Sequence, residues 1–282
     1  MMQKTLGSSR EIRGIGLHSG KNVIARLIPS EFEGIVFRPG GESFSWITAT
    51  YENVLETNLG TTIGTRDGLS RILTIEHLMA ALWACDVDNL AVELEGGEVP
   101  AMDGSSRCFI DEILDCEIVE LPAVRKILRI RKKVVVEDQN GSISIKPSDK
   151  FSIDMDVSFN YGKIGDQHYF FDGNREKFRK EIASARTFCN QRDADRMREA
   201  GLALGGSLEN ALVFDDEGLI NPQIILQEKE VVKHKVLDCV GDLFTSGYND
   251  IRGAVVASKS GHQLNNRLMR KIFSDRNNYT VE

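Results

Sequence analysis

Along the first third of the chain, apolar and polar positions alternate with a period near two. NVIARLIP (22–29), GIVFRP (34–39) and FSWITAT (44–50) carry β-branched or aromatic residues at that spacing and are broken by proline and glycine, which predicts strands. The period then changes. In LTIEHLMAALWAC (73–85) Leu78, Ala81, Leu82 and Cys85 form a helical stripe, and Thr74 is placed to cap the N-terminus. A strand in DNLAVELEG (88–96), a turn in EVPAMDGSS (98–106) and a helix from about Ser106 to Leu114 complete this block. After ELPAV (120–124) the succession starts again, with strands in KILRIRKKVVVED, GSISIKP and FSIDMDVSF and helices in REKFRKEIASA and EKEVVKHKVLDCVGDLF. The strand IRGAVVASK and a last helix from about Gln263 to Phe273 close it. Two blocks of strands followed by helices predict an α+β protein of two domains, 1–121 and 125–282. Likeness between the halves is too weak at the level of sequence to establish a duplication.

Composition narrows the classes. With 282 residues, 41% hydrophobic and 27% charged, the chain can bury a sizeable core and has no disordered bias. A net charge of −7 removes any overall drive toward nucleic acid or an anionic membrane. The basic run RKILRIRKK (125–133) reads either as a phosphate contact or, from its apolar alternation, as an edge strand with a solvated face. No stretch approaches the roughly 18 apolar residues of a membrane span, and the N-terminus lacks an apolar signal core. Five cysteines without C-x-x-C spacing suggest reduced thiols in a cytoplasmic protein, and no obligate protein partner is evident.

Histidine is scarce, with only His18, His77, His168, His234 and His262, so each context is informative. In VKHKVLDCVGD (232–242), His234, Asp238 and Asp242 recur every four residues, the spacing of helix neighbours. His234 with Asp238 can be a surface ion pair or can hold a cation. Glu76 and His77 open another helix, where the plain alternative is an acid favouring the helix dipole beside a half-buried histidine. Taken together, His77, His234 and Asp238 make an N, N, O set of the kind that holds catalytic zinc, with Glu76 adjacent as a general base. The spacing is not the H-E-x-x-H of zincins. His262, in ASKSGHQLNN (257–266), sits in a turn, where it is either solvent-exposed or held from behind by Asp242 in its protonated form. SARTF (184–188) and LALGGS (202–207) look like substrate handles, the second either an ordinary turn or a place for close backbone approach to a ligand.

GIGLHSGK, LTIEHLMAAL, PAMDGSS, SARTF, GLALGGS, KHKVLDCVGDL and SGHQLNN, in this order, resemble UDP-3-O-acyl-N-acetylglucosamine deacetylases of bacterial lipid A (lipopolysaccharide) biosynthesis, over about residues 3 to 272. The resemblance implies two domains of similar topology, each a sheet layered against two helices, with the active site between them. It implies zinc-dependent release of acetate, the committed step of that pathway, with Zn2+ held by His77, His234 and Asp238. Glu76 would be the general base and His262 the general acid, oriented by Asp242. Thr187 and Lys235 would polarise the acetyl carbonyl, where one lost donor typically costs about 3 kcal/mol. Phe159, Asn160, Lys235 and Lys259 would meet the sugar nucleotide, and Phe188 the sugar or its acyl chain. An insert at 189–206 would build an apolar acyl passage, with Leu202 and Gly206 in contact with substrate. Its early positions Gln191, Arg192, Asp193 and Asp195 are polar, which leaves Ala194, Met197, Leu202 and Leu204 to supply the wall. Val231 and Lys233 stand where that family usually has an aromatic residue and arginine; the role of His18 stays open. Two other readings keep part of this picture: a zinc amidase acting on a different N-acyl sugar, and a noncatalytic UDP-sugar or acyl-binding protein.

Overall fold

The computed structural model describes residues 1–41, 44–225 and 227–282. Among these residues the helices are α1 (Glu76–Ala84), α2 (Arg107–Leu114), α3 (Arg175–Glu181), α4 (Gln191–Glu199), α5 (Glu230–Phe244) and α6 (His262–Phe273). Two five-stranded sheets form the frame. The first runs Arg10–Ile15, Asn22–Pro29, Leu90–Glu95, Ile35–Pro39, Ile47–Thr48. The second runs Val134–Glu137, Ser142–Lys146, Ala254–Ser258, Ser152–Phe159, Gly165–Phe171. In each, the strand latest in sequence sits in the middle, antiparallel to one neighbour and parallel to the other. The repeated sequence pattern is therefore a repeated topology, and the expected α+β architecture of two similar halves is borne out.

Period-two alternation explains which faces pair. Val23, Ala25 and Leu27 of one strand are buried while Asn22 is exposed, and Ile153, Met155 and Val157 do the same in the other sheet. Helix α2 packs on Arg10–Ile15 and on α1; α5 lies on Ser152–Phe159 and Gly165–Phe171, and α6 on Val134–Glu137 and Ser142–Lys146. All nine residues of α1 are buried, not only the expected stripe, because the helix is enclosed by α2, α3 and α5. Its closest neighbour is α5, and Gly241 permits the approach: a Cβ there would run into the backbone carbonyl of Glu76.

Several local expectations gave way to tertiary contacts. Thr74 does not cap α1; it lies in the left-handed region at φ 61°, and its Oγ1 donates to Glu98 Oε1 at 3.3 Å. The first strand of the basic run, Ile127–Ile130, is not an edge but the middle of a three-stranded sheet between Asp250–Arg252 and Tyr279–Val281. Three cations of the run are paired, Arg129 with Asp149 and Glu282, Lys126 with Glu33, and the buried Arg125 with Asp86 at 2.8 Å and Asp88 at 3.0 Å. Residues 118–124, where the two blocks meet, form a strand antiparallel to Met2–Leu6, with an irregular register opposite Pro122, which has no N–H to give. No helix among the described residues is long and apolar enough to cross a membrane.

Candidate metal centre and catalytic site

The crossing of α1 over α5 brings the scattered candidates to one place. His77, at the start of α1, and His234 and Asp238, one turn apart on α5, offer ligand atoms that all lie within 4.8 Å of one another. Nε2 of His77 is 3.5 Å and Nε2 of His234 is 3.3 Å from the same oxygen, Asp238 Oδ1. That oxygen is buried without a hydrogen-bond partner among the described residues, a costly state for a carboxylate unless a cation completes it. His234 Nδ1 lies 3.0 Å from the carbonyl of Ala185, which only accepts, so the proton sits on Nδ1 and the Nε2 lone pair faces the cluster. Burial pushes the His234 imidazole down to about 4 against the pull of Asp238, so it is neutral, the form that binds metal. Burial opposes ionisation of Asp238, yet His234, Lys235 and His262 outweigh it and hold the carboxyl well below its ordinary range. Two imidazole nitrogens and one carboxylate oxygen that no described hydrogen bond satisfies fit a divalent metal with an open position.

Two proton-handling groups face this cluster. Glu76 is buried, and its Oε2 accepts from the backbone N–H of Thr61 at 2.9 Å, leaving Oε1 3.8 Å from His262 Nε2. Burial raises its carboxyl above the ordinary value, opposed by His262 and His77. His262 opens α6 and donates from Nδ1 to Asp242 Oδ2 at 2.8 Å. Burial works against its charge, but Asp242, Glu76 and Asp238 raise it to about 9, so it is an imidazolium at neutral pH. Asp242 in turn accepts from Thr61 Oγ1 at 2.5 Å and Asn265 Nδ2 at 2.8 Å. The sequence reading missed Thr61 and Asn265. Asn265 stands one helical turn from His262 and was open to the same spacing argument, whereas Thr61 lies just before the short strand Thr62–Gly64 and has no periodic signal.

The remaining candidates divide. Lys235 donates from Nζ to Asp238 Oδ2 at 2.8 Å, and its ammonium is held up by Asp238 in spite of burial. Thr187 is pinned by its backbone, N–H to Gly104 O at 2.9 Å. Phe188 sets its ring edge-on to His234, with centroids 6.1 Å apart, and continues to Phe159 at 5.2 Å. Asn160 and Lys259 are exposed, Lys259 at φ 51° beyond the central strand of the second sheet. In the insert, the polar positions Arg192, Asp193 and Asp195 of α4 point to solvent while Ala194 is buried. Leu202 and Gly206 lie beyond α4, and Gly205 between them donates to Leu17 O at 3.0 Å. The close backbone approach anticipated for the Gly-Gly pair is thus made by protein, since a Cβ at Gly205 would meet the carbonyl of Gly16. His18, in that facing turn, keeps both ring nitrogens buried and without partners among the described residues.

Residues 3–274 match the family described as UDP-3-O-acyl N-acetylglycosamine deacetylase. A UDP-3-O-acyl-N-acetylglucosamine deacetylase of Syntrophotalea carbinolica is 44% identical over 275 residues, covering 97% of this chain and 88% of the relative. Proteins of the same name from Myxococcus xanthus, at 41% over 99% of this chain and 88% of the relative, and from Nitratiruptor, at 38% over 100% and 93%, are similar along their length as well.

Proposed function

The chain belongs to the UDP-3-O-acyl N-acetylglycosamine deacetylase family, and from that premise we propose how its own residues carry the reaction. It hydrolyses the N-acetyl group of UDP-3-O-acyl-N-acetylglucosamine in lipid A biosynthesis, giving acetate and the free amine. Zinc is the metal proposed for His77, His234 and Asp238; the observation that carries this is Asp238 Oδ1, without a hydrogen-bond partner among the described residues, between two imidazole Nε2 atoms. When bound, zinc supplies Lewis acidity, which makes water acidic near neutral pH and draws electron density from a carbonyl.

Glu76 takes the proton from the attacking water through Oε1, the oxygen that Thr61 leaves free. As the new C–O bond forms, Thr187 and Lys235 steady the negative charge growing on the carbonyl oxygen. His262 gives its Nε2 proton to the glucosamine nitrogen as the C–N bond breaks, and Asp242 holds the ring for that transfer from Nδ1. Base and acid lie close together, Glu76 Oε1 3.8 Å from His262 Nε2, so neither proton has far to travel. The row of Phe188 and Phe159 offers an apolar platform for the sugar or its acyl chain, and Asn160 and Lys259 are proposed for the nucleotide end, with Leu202 and Gly206 beside the acyl chain. The five free thiols support a cytoplasmic setting.

Acetate release from the UDP-linked substrate, measured before and after chelation, tests this reading. Chelation should abolish turnover and one equivalent of zinc should restore it. Full activity after the metal is removed, or release of acetate only from some other N-acyl sugar, would sink the assignment.

A further inference from the structure

Helix α5 grips one peptide unit at both of its polar ends. The unit joins Ala185 to Arg186: its N–H donates to Glu230 Oε1 at 3.1 Å, and its carbonyl accepts from His234 Nδ1 at 3.0 Å. Glu230 and His234 are four residues apart on one helix face, and both are buried. The side chain of Arg186 closes the loop, donating from Nε to the same Oε1 at 3.2 Å.

Stability is a poor explanation for this pair. Taking an arginine and a glutamate out of water costs about as much as their attraction returns, and Arg186 Nη2 is buried with no hydrogen-bond partner among the described residues. The pair does have a positional consequence. A carboxylate on the N–H polarises the amide, and hydrogen bonds in series strengthen one another, so the Ala185 carbonyl becomes a better acceptor for His234. An outer partner of this kind orients a metal-binding imidazole and raises its basicity. The entry to α5 is also strained: Lys229 is left-handed at φ 56°, a conformation that disfavours a non-glycine residue, and it sets Glu230 as the first helical residue.

We infer that Glu230 is a positioning residue for His234, acting through the 185–186 peptide unit, with Arg186 anchoring the carboxylate. The inference rests on the metal-centre reading above. The clamp also holds the residue before Thr187, so the metal ligand and the segment proposed to meet the substrate carbonyl share one support.

Glu230→Gln keeps the shape and removes the charge. Zinc dissociation constants, from competition with a chromophoric chelator, should rise about tenfold in this variant, the lower end of the 10–100-fold loss typical when an outer partner is removed. In metal-free protein, imidazole 15N shifts should place the His234 proton on Nδ1 in the parent and spread it over both nitrogens in the variant. A purely structural pair would lower the unfolding midpoint and move neither readout. Zinc affinity within twofold of the parent in folded Glu230→Gln overturns the inference, as does an Nε2–H tautomer in the parent. Should the variant not fold, the parent decides: adding zinc must shift the Arg186 amide proton together with the His234 nitrogens, and an unmoved amide overturns it. A parent that binds no zinc at all is a different failure, that of the metal-centre reading.

Discussion

Asp242 sets the charge of His262. Its carboxylate is the largest influence raising that imidazole, to about 9, against burial. The proposed general acid is lost as pH climbs through that value, so the alkaline limb of kcat/KM should fall there, since that profile reports the free enzyme. Asp242→Asn removes the charge and keeps the side-chain size, so the imidazole titrates lower and the limb moves toward neutral pH. An unmoved alkaline limb in this variant would assign it to another group. The proposed metal ligands on α5 were legible as a pair in the sequence because His234 and Asp238 are helix neighbours, and spacing alone puts them on one face. Thr61 was not, because its bonds to Glu76 and Asp242 span 15 and 181 residues. Asp242 itself was legible as an orienting partner, but the threonine and asparagine that satisfy it follow from tertiary packing.

The crossing of α1 and α5 is decided by a side chain that is absent. Gly241 sits at the contact, one turn from Asp238 and beside Asp242, and its missing Cβ is filled by the Glu76 carbonyl. Glycine within a helix ordinarily costs about 1 kcal/mol relative to alanine. Here alanine would gain that propensity and lose more, because overpacking a tight contact costs about 1–3 kcal/mol. Gly241→Ala should therefore lower stability in chemical denaturation, and by parting the helices it should weaken zinc binding and turnover together. A variant with parental stability and zinc affinity would mean that the crossing has slack. Periodicity predicted both helices to within a residue or two, yet it could not show that α1 is buried on every side, since enclosure depends on α3 and α5 arriving from the other half of the chain. It also misassigned Thr74, whose hydroxyl is committed to Glu98 and not to the helix end.

At the scale of the molecule, α1 belongs to both halves. We propose that 1–121 and 125–282 are two units of one cooperative structure, with α1 as the shared member. The support lies at the end of α1 away from the proposed metal centre. The ring of Trp83 stands edge-on to Phe151, Phe171 and Phe178, with centroids 5.8, 6.0 and 5.6 Å away. Arg175 lies 4.5 Å over that ring and donates to Trp83 O at 2.8 Å, while Arg179 donates to Ala84 O at 2.5 Å, so two cations of the second half satisfy carbonyls at the C-terminus of a helix from the first. Removing an aromatic ring from such a contact typically costs about 3–5 kcal/mol. Trp83→Ala should accordingly unfold at lower denaturant and also loosen zinc, because the same helix carries His77 two turns away. Calorimetry of the parent should give one transition whose calorimetric and van't Hoff enthalpies agree. Two resolved transitions in the parent, or a Trp83→Ala chain that loses stability while binding zinc as tightly as before, would show that the halves fold apart and that the metal centre needs only the end of α1 nearest to it.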